Sequence, residues 1–248
     1  MPSMAIGYSF QPAVAGNDRL SDLRQALSEA LRLIASANAD FITIVAASLR
    51  FSISSTILAS ALGIPLGMTL ANASFRFKRL VEDALNTLLA VPTVVVGLFV
   101  YTLIFSQGPL GRLQLLFTPA GVILGQTLLI FPLVASLACS AISAVNPLVR
   151  QTALTLGAAR FRTAWTVAME ARAALLVVCL TAFGRVVGEI GISLLLGGNI
   201  LGYTRTITTA ISLQTSRGEF GLGLALGIVL LCVAFGLNIS MRLLRTKS

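Results

Sequence analysis

The chain has 248 residues, of which 56% are hydrophobic and only 11% are charged. Soluble domains are about one quarter charged, so this composition, with a mean hydropathy of +0.91, excludes a water-soluble globule, a disordered chain and a disulfide scaffold. The chain has no histidine and three scattered cysteines, which excludes a zinc site and a Cys-His or Ser-His catalytic pair. We therefore expect an integral membrane protein that is not an enzyme and holds no metal.

The first 39 residues are expected to form a flexible N-terminus and an amphipathic helix. Residues 1–16 are polar and lack the basic and apolar regions of a cleaved signal peptide. An apolar stripe at helical spacing follows, formed by Leu20, Leu23, Leu27, Leu31 and Ile34. The pattern predicts either a helix in the membrane interface or a short helix packed on the rest of the chain.

Long stretches without charge predict the membrane spans. No charged residue occurs in residues 51–75, 84–111, 113–149 or 220–241, and about 20 apolar residues cross a bilayer as a helix. Continuous apolar runs predict an all-α bundle, because barrel strands would alternate over short segments. Within a transmembrane domain of residues 40–245, we expect about five helices, at 41–71, 84–106, 119–144, 173–196 and 220–241. Three prolines inside them should kink or unwind these helices, namely Pro65, Pro92 and Pro132.

The basic residues predict the orientation of these spans. Cytoplasmic connections of membrane proteins carry an excess of Lys and Arg. Ten basic residues follow the first, third and fifth spans, whereas seven lie on the opposite side, three of them near acidic residues in the N-terminal segment. We therefore expect a multi-pass protein of the cell (inner) membrane with its N-terminus outside and its C-terminus in the cytoplasm.

The connection of residues 145–172 is the longest on the predicted cytoplasmic side, and its pattern is helical. Asn146 is a good helix cap, and Pro147 suits the first helical position because no N–H is needed there. A short helix should run to Leu156 and end at Gly157, and a second helix should follow. A helix–glycine–helix element at the membrane surface predicts a docking surface, with a packed linker as the alternative.

The sequence of this connection resembles the coupling helix of type I binding-protein-dependent ABC importer permeases. In residues 151–158, Gln-Thr-Ala-Leu-Thr-Leu-Gly-Ala, the family's Ala and Gly are present, whereas Gln and Thr stand where the family has Glu and Ala. In that family the element inserts into a partner ATPase. The resemblance implies the coupling residues Asn146, Pro147, Gln151, Thr152, Ala153, Leu156, Gly157 and Ala158.

The resemblance covers about residues 28–240 and extends to segments 91–97, 108–111, 183–191 and 198–206, which are similar to the molybdate and tungstate subgroup. Residues 208–218 are closest to the tungstate branch. The resemblance implies a permease subunit of an ATP-driven importer that moves a tetrahedral oxyanion, tungstate above all, from an external solute-binding protein to the cytoplasm by alternating access. It also implies a homodimer in the lipid bilayer, two partner ATPase subunits that bind ATP and Mg, no cofactor in this chain and no nucleic-acid partner.

Arg185 and Glu189 lie within the fourth predicted span. Residues four apart share a helix face and can pair, and each charge would cost about 2.5–3.5 kcal/mol if it faced lipid at mid-membrane. The functional interpretation is that Arg185 helps an oxyanion along its pathway while Glu189 fixes its rotamer. The structural interpretation is an ion pair that locks this span against its neighbours.

Polar residues concentrate in the predicted exterior loop that follows this span. Hydroxyl, amide and guanidinium groups can hydrogen-bond a tetrahedral dianion. The alternative is a gate or a binding-protein dock whose polar groups satisfy one another. With the charged pair, the predicted substrate pathway comprises Arg185, Glu189, Asn199, Thr204, Arg205 and Thr206.

Two further functions remain as alternatives. The first is a molybdate or sulfate permease of the same family. The second is an ion-coupled secondary transporter that uses Glu189 as its proton site, which would predict an internal repeat that the sequence does not show.

Overall fold

A computed structural model of the chain describes residues 28, 31, 32, 34, 36, 38–72 and 76–245. Within these residues all regular structure is helical, which confirms the predicted all-α class. The helices are α1 (Ala39–Asn72), α2 (Lys78–Ala90), α3 (Thr93–Ile104), α4 (Pro119–Ser143), α5 (Pro147–Thr155), α6 (Arg160–Glu170), α7 (Arg172–Val187), α8 (Gly191–Gly197), α9 (Ile207–Arg217) and α10 (Phe220–Arg245). The prediction for the N-terminal segment lies almost wholly outside the described residues.

The described helices account for three to five membrane crossings. Three of them, α1, α4 and α10, are long and apolar enough to cross a membrane alone. Two further crossings are possible if each bent pair counts as one span, because α2 and α3 meet at 101° and α6 and α7 meet at 69°. The upper number agrees with the five predicted spans.

The predicted interruption at Pro92 is confirmed in the second span, whereas the prediction of one continuous helix was wrong for the fourth. The second breaks at Val91 and Pro92, because proline lacks an N–H and disfavours helical backbone in the residue before it. The fourth ends at Val187 and resumes as α8. By contrast, α1 and α4 continue as helices through Pro65 and Pro132.

The pair α1 and α4, which run parallel to each other, forms the centre of the bundle. A Cβ atom at Gly67 would lie 2.7 Å from the carbonyl oxygen of Ala135 and 2.8 Å from the amide nitrogen of Cys139. Only glycine allows the two backbones to approach this closely. The C-terminal half of α1 is thereby fixed directly against α4. Helix α7 packs on the same pair through Val178, Ala182 and Val186.

The connections that are rich in Lys and Arg share one end of this bundle, which we call the basic end. The C-terminal parts of α1 and α4 pack there against Val167 and Ala171. The guanidinium of Arg150 donates a hydrogen bond to the carbonyl oxygen of Asn72 at 3.1 Å. At the opposite end, the first turns of α1 pack against α9 and α10 through Phe41, Ile207 and Leu226. The short helices α8 and α9 therefore lie far from α5 and α6.

Candidate functional site

The helix–glycine–helix element at the basic end forms as the sequence predicts. The side-chain oxygen of Asn146 accepts the N–H of Leu148 at 3.0 Å, and Pro147 occupies the first turn of α5. After α5, the N–H of Ala158 donates to the carbonyl oxygen of Ala153 at 3.0 Å. This ending requires a left-handed residue, and Gly157 supplies it with φ of +79°.

We call α5, the Gly157 turn and the first turns of α6 the coupling loop. None of the residues in α5 is buried. The side chain of Leu148 in this helix is 62% exposed, and that of Leu156, directly after it, is 82% exposed. Among the predicted coupling residues, Ala153 and Ala158 are half-buried, whereas Gln151, Thr152, Leu156 and Gly157 are exposed. Large apolar side chains without cover mark an interaction surface.

The second helix of the loop is anchored on one side only. Thr163, Val167 and Ala168 of α6 are buried against the bundle. Phe161 and Trp165 lie away from that buried face and are 75% and 55% exposed. The coupling loop is thus held firmly by the bundle while its apolar surface is left uncovered.

Near the middle of the bundle, where Val186 packs against Ala59 and Ile130, Arg185 and Glu189 form the predicted ion pair. Nη1 of Arg185 donates to Oε2 of Glu189 at 2.9 Å. The side chain of Glu189 is only 5% exposed, whereas that of Arg185 is 44% exposed. The pairing is confirmed, but the two residues do not share one helix, because Glu189 lies beyond the end of α7.

Glu189 lies between α7 and α8, and its side chain bonds to the first turn of α8. Its Oε1 atom accepts the N–H of Gly191 at 3.0 Å and, more weakly, that of Ile192 at 3.5 Å. Its backbone carbonyl accepts the hydroxyl of Thr208 at 2.9 Å. These bonds fix the rotamer of the carboxylate between α7 and α8. Arg185 has five N–H donors, and its bond to Glu189 uses one of them, which leaves the others for an anion.

In the polar loop between α8 and α9, several side chains form hydrogen bonds with the backbone of the loop itself. The hydroxyl of Thr204 is fully buried, donates to the carbonyl oxygen of Gly197 and accepts the N–H of Ile200. Thr206 caps α9 through a reciprocal pair of bonds with Thr209. These side chains order the loop, which is the arrangement expected if its polar groups satisfy one another.

Asn199 and Arg205 are brought together in the same loop. Asn199 has φ of +54°, and its Oδ1 atom accepts Nε of Arg205 at 3.1 Å while its carbonyl oxygen accepts Nη2 at 3.2 Å. No hydrogen bond in the described part of the chain joins this pair to Arg185. The role of these loop residues in the pathway stays a prediction.

A buried amide in α4 was not among the predicted site residues. Oε1 of Gln126 accepts the hydroxyl of Ser55 in α1 at 3.1 Å, and its Nε2 donates to the hydroxyl of Ser193 in α8 at 3.2 Å. Gln126 is 1% exposed. It is the one amide side chain within the residues of α4, and a polar side chain inside a membrane span is the signal that could have identified it.

Known proteins with similar sequences cover most of this chain. The model of the family described as binding-protein-dependent transport system inner membrane component matches residues 63–247. The chain is 42% identical over 219 residues to the tungstate uptake system permease protein TupB of Campylobacter jejuni, covering 88% of this chain and 92% of that protein. The corresponding protein of Peptoclostridium acidaminophilum is 38% identical over 209 residues, covering 84% and 92%.

Proteins of lower sequence identity also match most of the chain. The molybdenum transport system permease protein ModB of Escherichia coli K12 is 31% identical over 187 residues, covering 70% of this chain and 80% of that protein. A chain of a bacterial alginate ABC transporter, crystallised with an alginate pentasaccharide-bound periplasmic protein, superimposes with a TM-score of 0.69. That comparison covers 93% of this chain and 87% of the other at 16% identity, and it confirms the predicted permease fold. The chain therefore belongs to the binding-protein-dependent transport system inner membrane component family.

Proposed function

We propose that this chain is the membrane-spanning subunit of an ATP-driven importer whose substrate is tungstate. The observation that carries the proposal is the similarity to two tungstate uptake permeases, which exceeds that to the molybdenum permease in both identity and coverage. The substrate would arrive from an external solute-binding protein and leave into the cytoplasm by alternating access. Molybdate or sulfate as the substrate is the alternative within the same family.

The coupling loop would transmit the work of the partner ATPases. Its apolar side chains have no cover in the single chain, as Leu156 and Phe161 show, and a cleft on an ATPase would bury them. Two copies of the chain would present two such loops, one for each of two ATPase subunits that bind ATP and Mg. The coupling residues would be those in Asn146–Ala158 that lie on this element.

The basic end of the bundle would face the cytoplasm. The structure brings the connections that carry Arg76, Arg79, Arg150, Arg160 and Arg172 to this end, and an excess of Lys and Arg is typical of cytoplasmic connections. This orientation places the coupling loop beside the ATPases. It places α8, α9 and the polar loop at the outer end, where the binding protein would dock.

Arg185 would be the cation that an oxyanion meets on its way through the membrane. Its side chain is the exposed member of the pair, and charge-assisted hydrogen bonds from a guanidinium are strong toward tetrahedral anions. Glu189 would hold the guanidinium in position and keep the local charge near zero, so that the anion is not trapped. In the polar loop, Arg205 would add a second cation, while Asn199, Thr204 and Thr206 would shape the loop around it.

The alternative of an ion-coupled secondary transporter receives no support from the geometry of Glu189. Its two carboxylate oxygens accept hydrogen bonds from Arg185, Gly191 and Ile192. Both oxygens are thereby engaged in holding Arg185 and the first turn of α8, which fits a positioning role.

Reconstituted transport tests the proposal. The complete complex is placed in liposomes with ATP on the side of the ATPases and the loaded solute-binding protein on the other, and tungsten inside the vesicles is measured. We expect uptake that requires both ATP and the binding protein and that excess molybdate or sulfate reduces only weakly. Uptake driven by a proton gradient without ATP would establish the secondary transporter, and preferential uptake of molybdate would overturn the assignment of tungstate.

A further inference from the structure

We infer that Gln126 is a positioning residue that holds α8 in place and, through α8, sets the direction of Arg185. The inference rests on the proposed role of Arg185 in transport. It concerns a side chain that lies on a different helix from the charged pair and touches neither member of it in the described hydrogen bonds.

Gln126 connects three helices through a buried line of hydrogen bonds. Ser55 of α1 donates to its oxygen and its nitrogen donates to Ser193 of α8, at 3.1 and 3.2 Å. Ser55 and Ser193 are both fully buried. If α8 moved away, Nε2 of Gln126 and the hydroxyl of Ser193 would lose their shared bond, and an unpaired buried polar group is unfavourable. The line therefore favours one position of α8 over all others.

The helix α8 depends on such contacts because it is short. It has seven residues, far fewer than the roughly 12–15 at which an isolated helix becomes marginally stable in water. Its apolar residues pack against two glycines on its neighbours, since a Cβ atom at Gly97 would lie 3.0 Å from Leu195 and one at Gly125 would overlap Leu196. Apolar packing is not directional, so hydrogen bonds limit how far α8 can slide or rotate. The N–H of Phe117 and the hydroxyl of Thr204 hold its C-terminal end, and Gln126 holds Ser193 near its start.

The position of α8 is transmitted to Arg185 through Glu189. The N–H of Gly191, in the first turn of α8, donates to one oxygen of the Glu189 carboxylate, and the other oxygen accepts Arg185. A displacement of α8 would pull its first turn away from that carboxylate and free it to change rotamer. The guanidinium would then lose its fixed direction while its charge remained.

Hydrogen exchange of the α8 amides tests the first step without any transport assay. In the complete complex in nanodiscs, Gln126→Leu should make the peptide that contains α8 exchange about threefold faster, the change expected from one membrane hydrogen bond. Ser193→Ala removes the same bond with a smaller change of volume and should give the same result. Gln214→Leu is the matched control, because this amide is also buried, in α9, and its Oε1 has no partner among the described residues. Unchanged exchange in both Gln126→Leu and Ser193→Ala would overturn the inference.

Transport tests the second step. Gln126→Leu should lower the maximal tungstate uptake per assembled complex about threefold in the wild-type background and should have no further effect in Arg185→Gln. Equal losses in both backgrounds would show that Gln126 acts on the fold and not through Arg185. If the wild-type complex imports no tungstate, the proposed function fails, whereas the exchange experiment still decides whether Gln126 holds α8.

Discussion

The coupling loop and α8 are both short helical elements, but they relate to the rest of the chain in opposite ways. Helix α5 buries none of its residues, whereas four of the seven residues of α8 are buried, namely Ile192, Ser193, Leu196 and Gly197. Leu156 extends away from the bundle, while Ser193 is tied into it by Gln126. The difference shows that α8 is packed within its own chain, whereas α5 is not, which fits the proposed docking of the coupling loop on a partner.

This comparison separates two kinds of mutational effect. A change in the coupling loop should impair the transfer of work from the ATPase and leave the stability of the chain nearly unchanged. A change around α8 should alter both the local stability and the movement of the oxyanion. Each region contains a residue whose local geometry is repeated elsewhere in the chain, and the same substitution at the second position serves as the control.

The largest effect is expected from Gly157→Val. A residue with a side chain pays about 1–2 kcal/mol in the left-handed region, so the turn should open and displace α5 from its docking position. We expect tungstate uptake and substrate-stimulated ATP hydrolysis to fall at least about tenfold. The space around a Cβ atom at Gly157 is empty, so the loss would come from the backbone and not from a clash.

Gly218→Val is the control for that experiment. Gly218 also ends a helix with a positive φ, +76°, and a Cβ atom there would likewise meet nothing within 4 Å. The strain is the same, but the residue lies after α9 and outside the coupling loop. Equal losses of ATP-driven uptake in the two variants would contradict a special role for the coupling loop.

The next effect in size is expected from Arg185→Gln. Removing the exposed cation should lower uptake about fivefold, because a charge-assisted contact to the oxyanion is lost in a partly solvated site. The control is Lys78→Gln, which breaks a second ion pair between residues four apart, Lys78 with Glu82 at 3.8 Å in α2. Measured rates are divided by the amount of assembled complex. Undiminished uptake by Arg185→Gln would remove this residue from the pathway.

The sequence predicts those parts of the structure that depend on local pattern. Charge-free stretches locate α1, α4 and α10, and the cap at Asn146 with the stop at Gly157 locates α5. These features involve residues that are close along the chain. The structure adds contacts between distant residues, such as Ser55 with Gln126 and Gln126 with Ser193.

The break between α7 and α8 shows why the remainder could not be predicted. The spacing of Arg185 and Glu189 fits a continuous helix equally well, and only the bond from Gly191 to the Glu189 carboxylate marks the start of a new one. The sequence likewise left open whether Thr204 and Thr206 are available to an anion or bonded within their loop, and both are buried and bonded there. Tertiary contacts decide both cases, and one sequence does not contain them.

A smaller effect is expected from Glu189→Gln. The amide keeps the volume and one oxygen for the N–H of Gly191, but the attraction to Arg185 is lost. We expect a loss of about 1 kcal/mol in local stability, since caps and partly exposed ion pairs contribute at this level. The measurement is amide hydrogen exchange. The peptide that contains α8 should exchange faster, whereas the peptides of α10 should exchange at an unchanged rate. Faster exchange throughout the bundle would show instead that Glu189 supports the whole fold.

The smallest effect on stability is expected from Leu156→Ser. Leu156 is 82% exposed, so its removal deprives the chain of almost no buried area, and the thermal stability of the isolated permease should change by less than about 0.5 kcal/mol. The same change should weaken the co-purification of the ATPase, because a leucine of this size is worth about 1.5–3 kcal/mol when it is fully buried in a partner. Leu148→Ser, at a residue 62% exposed in α5, tests whether the whole apolar surface of the coupling loop contributes. A destabilised permease with undiminished ATPase binding would contradict the comparison, because Leu156 would then stabilise its own chain rather than bind a partner.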